Sequence, residues 1–105
     1  MLQILKNLFG SGNTPDFAEL RKNGAQIIDV RTRGEYKGGH IKGSINIPLD
    51  ELRNSFSKIA KDKPVITCCA SGMRSASAKG ILTSAGYGQV YNGGGWASLQ
   101  NRLNA

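Results

Sequence analysis

With 105 residues, 39% of them hydrophobic and 20% charged, the chain has the composition of one soluble globular domain and lacks the length for two separate cores. No apolar run approaches the roughly 20 residues that a bilayer-spanning helix needs, so membrane insertion is not expected. The formal net charge of +7 favours anionic partners, yet its lysines and arginines are scattered and its few aromatics do not interleave with them. That pattern argues against nucleic-acid binding as the main function.

Leu2 to Phe9 places apolar residues at helical spacing, interrupted by Gln3, Lys6 and Asn7. The stretch is too broken for a signal-peptide core. A short helix packed on the body is expected there, with a membrane-surface or partner-binding helix as the alternative. Residues 1–12 thus read as helix plus linker and 13–105 as the core of a single domain. Thr14-Pro15-Asp16 predicts a helix start, with Thr14 as cap, Pro15 at the first helical position and Asp16 complementing the dipole. Phe17 and Leu20 share one face of this element, and Gly24 ends it.

Ala25 to Val30 is a short apolar strand, and Ser44 to Ile47 is a second. Leu49 to Ala60 reads as helical, Pro64 to Cys68 as a third strand, and Ser75 to Ala85 as a helix closed by Gly86. Gly88 to Tyr91 is a fourth strand candidate; three glycines follow, then a last helix carrying Trp96, Leu99 and Leu103. Strands alternating with helices predict an α/β domain of three layers. Its mainly parallel sheet of four or five strands has helices on both faces. Ligands in such sheets sit beyond the carboxyl ends of the strands. That rule selects Asp29 to Arg33 and Cys68 to Arg74, on the same edge.

Cys68 and Cys69 are adjacent. A disulfide between neighbours closes a strained ring, so they are no structural staple, and with His40 they fall short of a four-ligand zinc site. Without a staple or a signal, a reducing cytoplasm is the expected compartment. The segment from Thr67 to Ala76 runs from a buried strand straight into a helix. A cysteine there faces the positive end of the helix dipole and a set of unpaired N–H groups. Successive N–H groups in a tight loop form a concave nest for an anion, which lowers a thiol's pKa and would equally hold a persulfide anion. Gly72 lets such a loop curl.

The order of motifs resembles the rhodanese family over nearly all of residues 14–100. Ile27-Ile28-Asp29-Val30-Arg31 followed by Glu35-Tyr36 is similar to its first strand. Gly39-His40-Ile41 to Asn46-Ile47-Pro48 resembles its second segment. Val65 to Ser75 resembles its active loop, and Val90 to Trp96 its late glycine-tryptophan segment. The resemblance implies a sulfurtransferase that needs no metal or organic cofactor. Cys69 would take the outer sulfur of a donor such as thiosulfate or a persulfide, and cyanide, a thiol or a thioredoxin-like protein would accept it, with ping-pong kinetics.

Register separates sulfur transfer from a phosphatase or arsenate-reductase reading. Cys69 to Arg74 is six residues, the length of the family's sulfurtransferases, whereas Cys68 to Arg74 is seven, the length of its phosphatase relatives. Gly72 stands three positions after Cys69, where both groups tend to have glycine. Cys69 is therefore the expected nucleophile, and Ala70, Ser71, Gly72, Met73 and Arg74 the donor-binding loop. Cys68 is expected to be packed and inert, with a resolving thiol as the alternative. Arg74 either binds the donor anion or pairs with Asp29 or Glu35. Asp29, Arg31, Glu35 and His40 are expected to support the loop, and Trp96 to pack as a lid over the sheet end. The neutral Ala70, Ser71 and Met73 weaken the case for strong thiosulfate preference. A rival of another class is a binding module that keeps the fold without turnover.

Overall fold

The computed structural model describes residues 15–104. Four parallel strands form one sheet in the order β2-β1-β3-β4, with β1 at Gln26–Asp29, β2 at Ile45–Asn46, β3 at Val65–Cys69 and β4 at Val90–Gly95. Side chains alternate across a strand, and the core divides accordingly. Ile28, Val65 and Cys69 face one side with Leu52, Ile59, Ala78 and Leu82. Ile27, Ile66 and Cys68 face the other with Phe17, Ile41 and Leu99. Helix α3 (Met73–Ser84) and two 3-10 turns (Leu49–Asn54 and Phe56–Lys58) cover the first face; α1 (Phe17–Lys22) and α4 (Trp96–Leu103) cover the second. A short helix, α2 (Arg33–Lys37), follows β1 at the carboxyl edge. The expected three-layer α/β domain with a parallel sheet is the observed one.

The differences are local. The N-terminal helix and Thr14 lie outside the described residues. Helix α1 begins at Phe17, not Pro15, because Asp16 Oδ1 takes the Glu19 N–H at 3.0 Å and serves as the cap. The stretch expected as a helix over residues 49–60 is two 3-10 turns. Ser55 breaks it: its Oγ donates to Glu51 O at 2.9 Å, its backbone N–H returns to Leu52 O at 3.0 Å, and its φ of −127° leaves the helical region. Leu52 and Ile59 remain buried nonetheless. Helix α3 starts at Met73, two residues before the expected Ser75, so Met73 and Arg74 belong to its first turn rather than to the loop.

Strand β4 runs on through Gly93-Gly94-Gly95 instead of stopping at Tyr91. Thr67 pairs with Asn92 and Cys69 with Gly95, so β4 carries an extra residue as a bulge beside β3. Glycine is demanded there by proximity. A Cβ on Gly93 would lie 2.8 Å from Thr67 O, and one on Gly95 would lie 2.8 Å from Ala70 O.

Candidate active site

Strand β3 ends at Cys69, and Ala70-Ser71-Gly72 carry the chain into α3. Gly72, the N-cap, sits at φ +106°, a conformation that disfavours other side chains. This turn aims donors back at the sulfur: the Gly72 N–H meets Cys69 Sγ at 2.9 Å and the Ser75 N–H meets it at 3.4 Å. Burial works against ionisation of Cys69, but the Ser75 hydroxyl and the N–H groups of Ser75, Gly72 and Ser71 outweigh it and hold the thiol below its ordinary value. The backbone donors to the sulfur are thus those of residues 71, 72 and 75. Met73 and Arg74, at the first two helical positions, have N–H groups with no partner inside the helix.

The sulfur lies at the floor of the loop, with 1% of Cys69 exposed. Ala70 and Ser71 are exposed above it, and the Met73 side chain projects into solvent. Two residues missed in the sequence complete the setting. Ser75, fully buried, places its Oγ 3.4 Å from Cys69 Sγ, 3.0 Å from Gly72 O and 2.6 Å from Asn92 Oδ1. Asn92 Oδ1 also accepts the Gly94 N–H at 2.9 Å, and its Nδ2 reaches Gly72 O at 3.4 Å. The carboxyl end of β4 is therefore tied to the cysteine loop. The strand-end rule that selected β1 and β3 would have found Asn92 had β4 been given its full length.

Cys68 points the other way. It is fully buried in the core beneath α1 and α4, and burial first, then the nearby Asp29 carboxylate, pushes its thiol up to about 12. The loop supplies it no donors, so the geometry gives a seven-residue phosphatase register nothing to work with.

The charged residues after β1 form a separate knot. Asp29 is fully buried and Arg31 nearly so. Arg31 donates through Nη2 to Asp29 Oδ2 at 2.7 Å and to Gly39 O at 2.7 Å, and through Nη1 to Glu35 O at 3.3 Å. Its guanidinium also lies 4.8 Å from the centre of the Trp96 ring. The Asp29 carboxylate holds Arg31 above its ordinary value against the cost of burial. Asn46 Nδ2, from β2, donates to Asp29 O and Arg31 O, both at 3.0 Å, and pins the turn leaving β1. His40 stacks on Tyr36 at a ring separation of 3.7 Å, and its Nδ1–H donates to Tyr36 O at 2.8 Å. Arg74 leans across to this side and forks onto Glu35, with Nη1–Oε1 at 2.7 Å and Nη2–Oε2 at 3.0 Å. Arg74 chiefly, with the Thr32 N–H and hydroxyl, lowers the Glu35 carboxyl to about 2.

An open groove runs from Arg74 between α3 and the 3-10 turns, lined by Val30, Leu49, Arg53, Phe56 and Ile81 among others; Cys69 does not line it. Among the described residues no three of His, Cys, Asp and Glu gather as a metal site would require. None of the described helices is long and apolar enough to cross a membrane.

Comparison with known proteins gives one family match: the rhodanese-like domain, over residues 14–102. The uncharacterized protein YqhL of Bacillus subtilis (strain 168) is 40% identical over 82 residues, covering 77% of this chain and 65% of that protein, just under two thirds of its length. The thiosulfate sulfurtransferase PspE of Escherichia coli (strain K12) is 41% identical over 70 residues, covering 65% of this chain and 67% of that protein. Among solved structures, the human single-domain sulfurtransferase TSTD1 superposes with a TM-score of 0.73 at 26% identity, covering 83% of this chain and 91% of that one.

Proposed function

This chain belongs to the rhodanese-like domain family, and from that premise we propose that it transfers a sulfane sulfur from a donor to a thiophilic acceptor through a persulfide on Cys69. Relatives named as sulfurtransferases support a sulfurtransferase-like enzyme. The observation that carries the finer reading is the set of donors closing on Cys69 Sγ, which keeps a nearly buried thiol ionisable.

The chemistry balances with sulfur alone. The Cys69 thiolate attacks the outer sulfur of thiosulfate, and the S–S bond of the donor breaks. Its electron pair leaves with sulfite, while Cys69 keeps the outer sulfur and its negative charge. A thiolate or cyanide then attacks that sulfur and Cys69 departs as a thiolate. No proton needs to move in the first step, so no histidine base is required of His40. The unpartnered N–H groups of Met73 and Arg74 suit the added charge, because a helix N-terminus favours an anion. With so little of Cys69 exposed, a donor must present a single terminal sulfur end-on. Asp29 and Arg31 act in this reading by fixing the backbone behind the loop. A small thiol or a thioredoxin-like protein is the acceptor this chemistry suits, and a reducing cytoplasm the compartment that keeps both free cysteines available.

Thiocyanate formation from thiosulfate and cyanide tests the reading. Turnover is expected in the unmodified protein and in Cys68→Ala, and none in Cys69→Ser. Turnover by Cys69→Ser, or phosphate-ester hydrolysis that depends on Cys68, would overturn it.

A further inference from the structure

Each of the three arginines in and beside the site already has a carboxylate. Arg31 is held by Asp29, Arg33 by Glu51, and Arg74 by both oxygens of Glu35. Arg74 is the only charged side chain between Cys69 and the first turn of α3. Glu35 is itself tethered: Oε1 accepts the Thr32 N–H at 3.0 Å and the Thr32 hydroxyl at 3.1 Å, closing a capping box on α2. The Glu35–Arg74 pair is 36% and 35% exposed, so an incoming ligand can reach it. The mouth of the loop therefore offers amide dipoles but no net side-chain charge, although the chain as a whole carries +7.

An amide nest suits one negative charge, that of the outer sulfur. A dianionic donor brings a second one, for which the one arginine of the loop is already taken by Glu35. We infer that Glu35 is a specificity-determining residue for the sulfur donor: by occupying Arg74 it disfavours dianions such as thiosulfate and favours monoanions of the same shape, the organic thiosulfonates. The inference rests on the sulfurtransferase reading and refines it. Both donors undergo the same step. Thiosulfate gives up its outer sulfur and leaves as sulfite; methanethiosulfonate gives up its outer sulfur and leaves as methanesulfinate. In each, the leaving group departs with the electron pair of the broken S–S bond. A methyl group stands where thiosulfate has a further anionic oxygen, so the contrast between them is chiefly electrostatic.

The test compares kcat/KM for thiosulfate with kcat/KM for methanethiosulfonate in the unmodified protein and in Glu35→Gln. Glutamine keeps the oxygen that caps α2 and removes the charge. The thiosulfate-to-thiosulfonate ratio should rise about tenfold, the order expected for removing one unit charge at a partly exposed site, and the rise should shrink as salt is added. Arg74→Gln leaves Glu35 without its partner and should move the ratio about tenfold the other way, which keeps the test available should Glu35→Gln fail to fold. Sulfur transfer from both donors with a ratio that neither variant shifts overturns the inference and leaves the sulfurtransferase reading standing. No transfer from either donor by the unmodified protein overturns both.

Discussion

At the end of β3 the chain sends one cysteine into each face of the sheet, and the two faces make opposite use of the same side chain. Beneath α1 and α4, Cys68 meets apolar neighbours and the field of a buried carboxylate, so its thiol stays protonated to about 12. Toward α3, Cys69 is just as well covered but meets the Gly72 and Ser75 N–H groups and the Ser75 hydroxyl, and its thiol is held below the ordinary value. Burial is common to both. Whether the space around the sulfur contains donors aimed at it decides which thiol ionises.

The sharpest way to break this contrast is to remove each thiol in turn. Native iodoacetamide labelling should vanish in Cys69→Ala and persist in Cys68→Ala, with a stability cost for the latter of about 1 kcal/mol from a small cavity. Labelling of Cys68 in the folded protein would show that the two faces are not distinct. Next in size is Gly95→Ala. Its new methyl group would start 2.8 Å from Ala70 O, so the cysteine loop must shift. Alkylation of Cys69 should slow about tenfold, and stability should fall by about 1–3 kcal/mol in a urea titration. Wild-type rates would mean that the loop tolerates displacement.

Ser75→Ala is expected to act more gently, since it removes only the hydroxyl and leaves the backbone N–H groups of residues 71, 72 and 75 in place. The alkylation-against-pH midpoint should move up toward that of an ordinary thiol, with the rate at neutral pH falling about threefold to tenfold; an unmoved midpoint would take Ser75 out of the account. The smallest effect belongs to the charged side of the site. Glu35 is lowered from 4.5 to about 2. Its pairing with Arg74 therefore favours the folded state fully above about pH 4.5, and that contribution is lost as the pH falls toward 2. By carbon-13 NMR the Glu35 carboxyl should stay ionised at about pH 3.5. In Arg74→Gln it should titrate closer to an ordinary carboxyl, with the Thr32 donors still holding it somewhat low.

Much of this was legible in the sequence, and the reasons are physical. Ile27 to Val30 and Val65 to Cys69 are nearly wholly apolar, interrupted only by Asp29 and Thr67, as strands buried on two sides tend to be, and they fix the sheet and its carboxyl edge. Gly24 and Gly86 mark the helix ends. The 3-10 turns were not legible, because Leu49, Leu52, Phe56 and Ile59 keep a spacing compatible with an α-helix. Only the Ser55 side chain, bonding back to Glu51 O, departs from it. The length of β4 was hidden as well. Three glycines read as loop on propensity, while here Gly93 and Gly95 admit the Thr67 and Ala70 carbonyls. That error concealed Asn92, whose meeting with Ser75 joins residues 17 positions apart and depends on strand order alone. The sequence offers Arg74 two carboxylates, Asp29 and Glu35, and the structure gives it Glu35.

The most direct measurement is the location of added sulfur. The protein is incubated with thiosulfate or methanethiosulfonate, trapped with an alkylating agent under native conditions, digested, and read by mass spectrometry. The account predicts one extra sulfur atom on residue 69 in the unmodified protein and in Cys68→Ala. An extra sulfur on residue 68, or none on either cysteine with both donors, would contradict it.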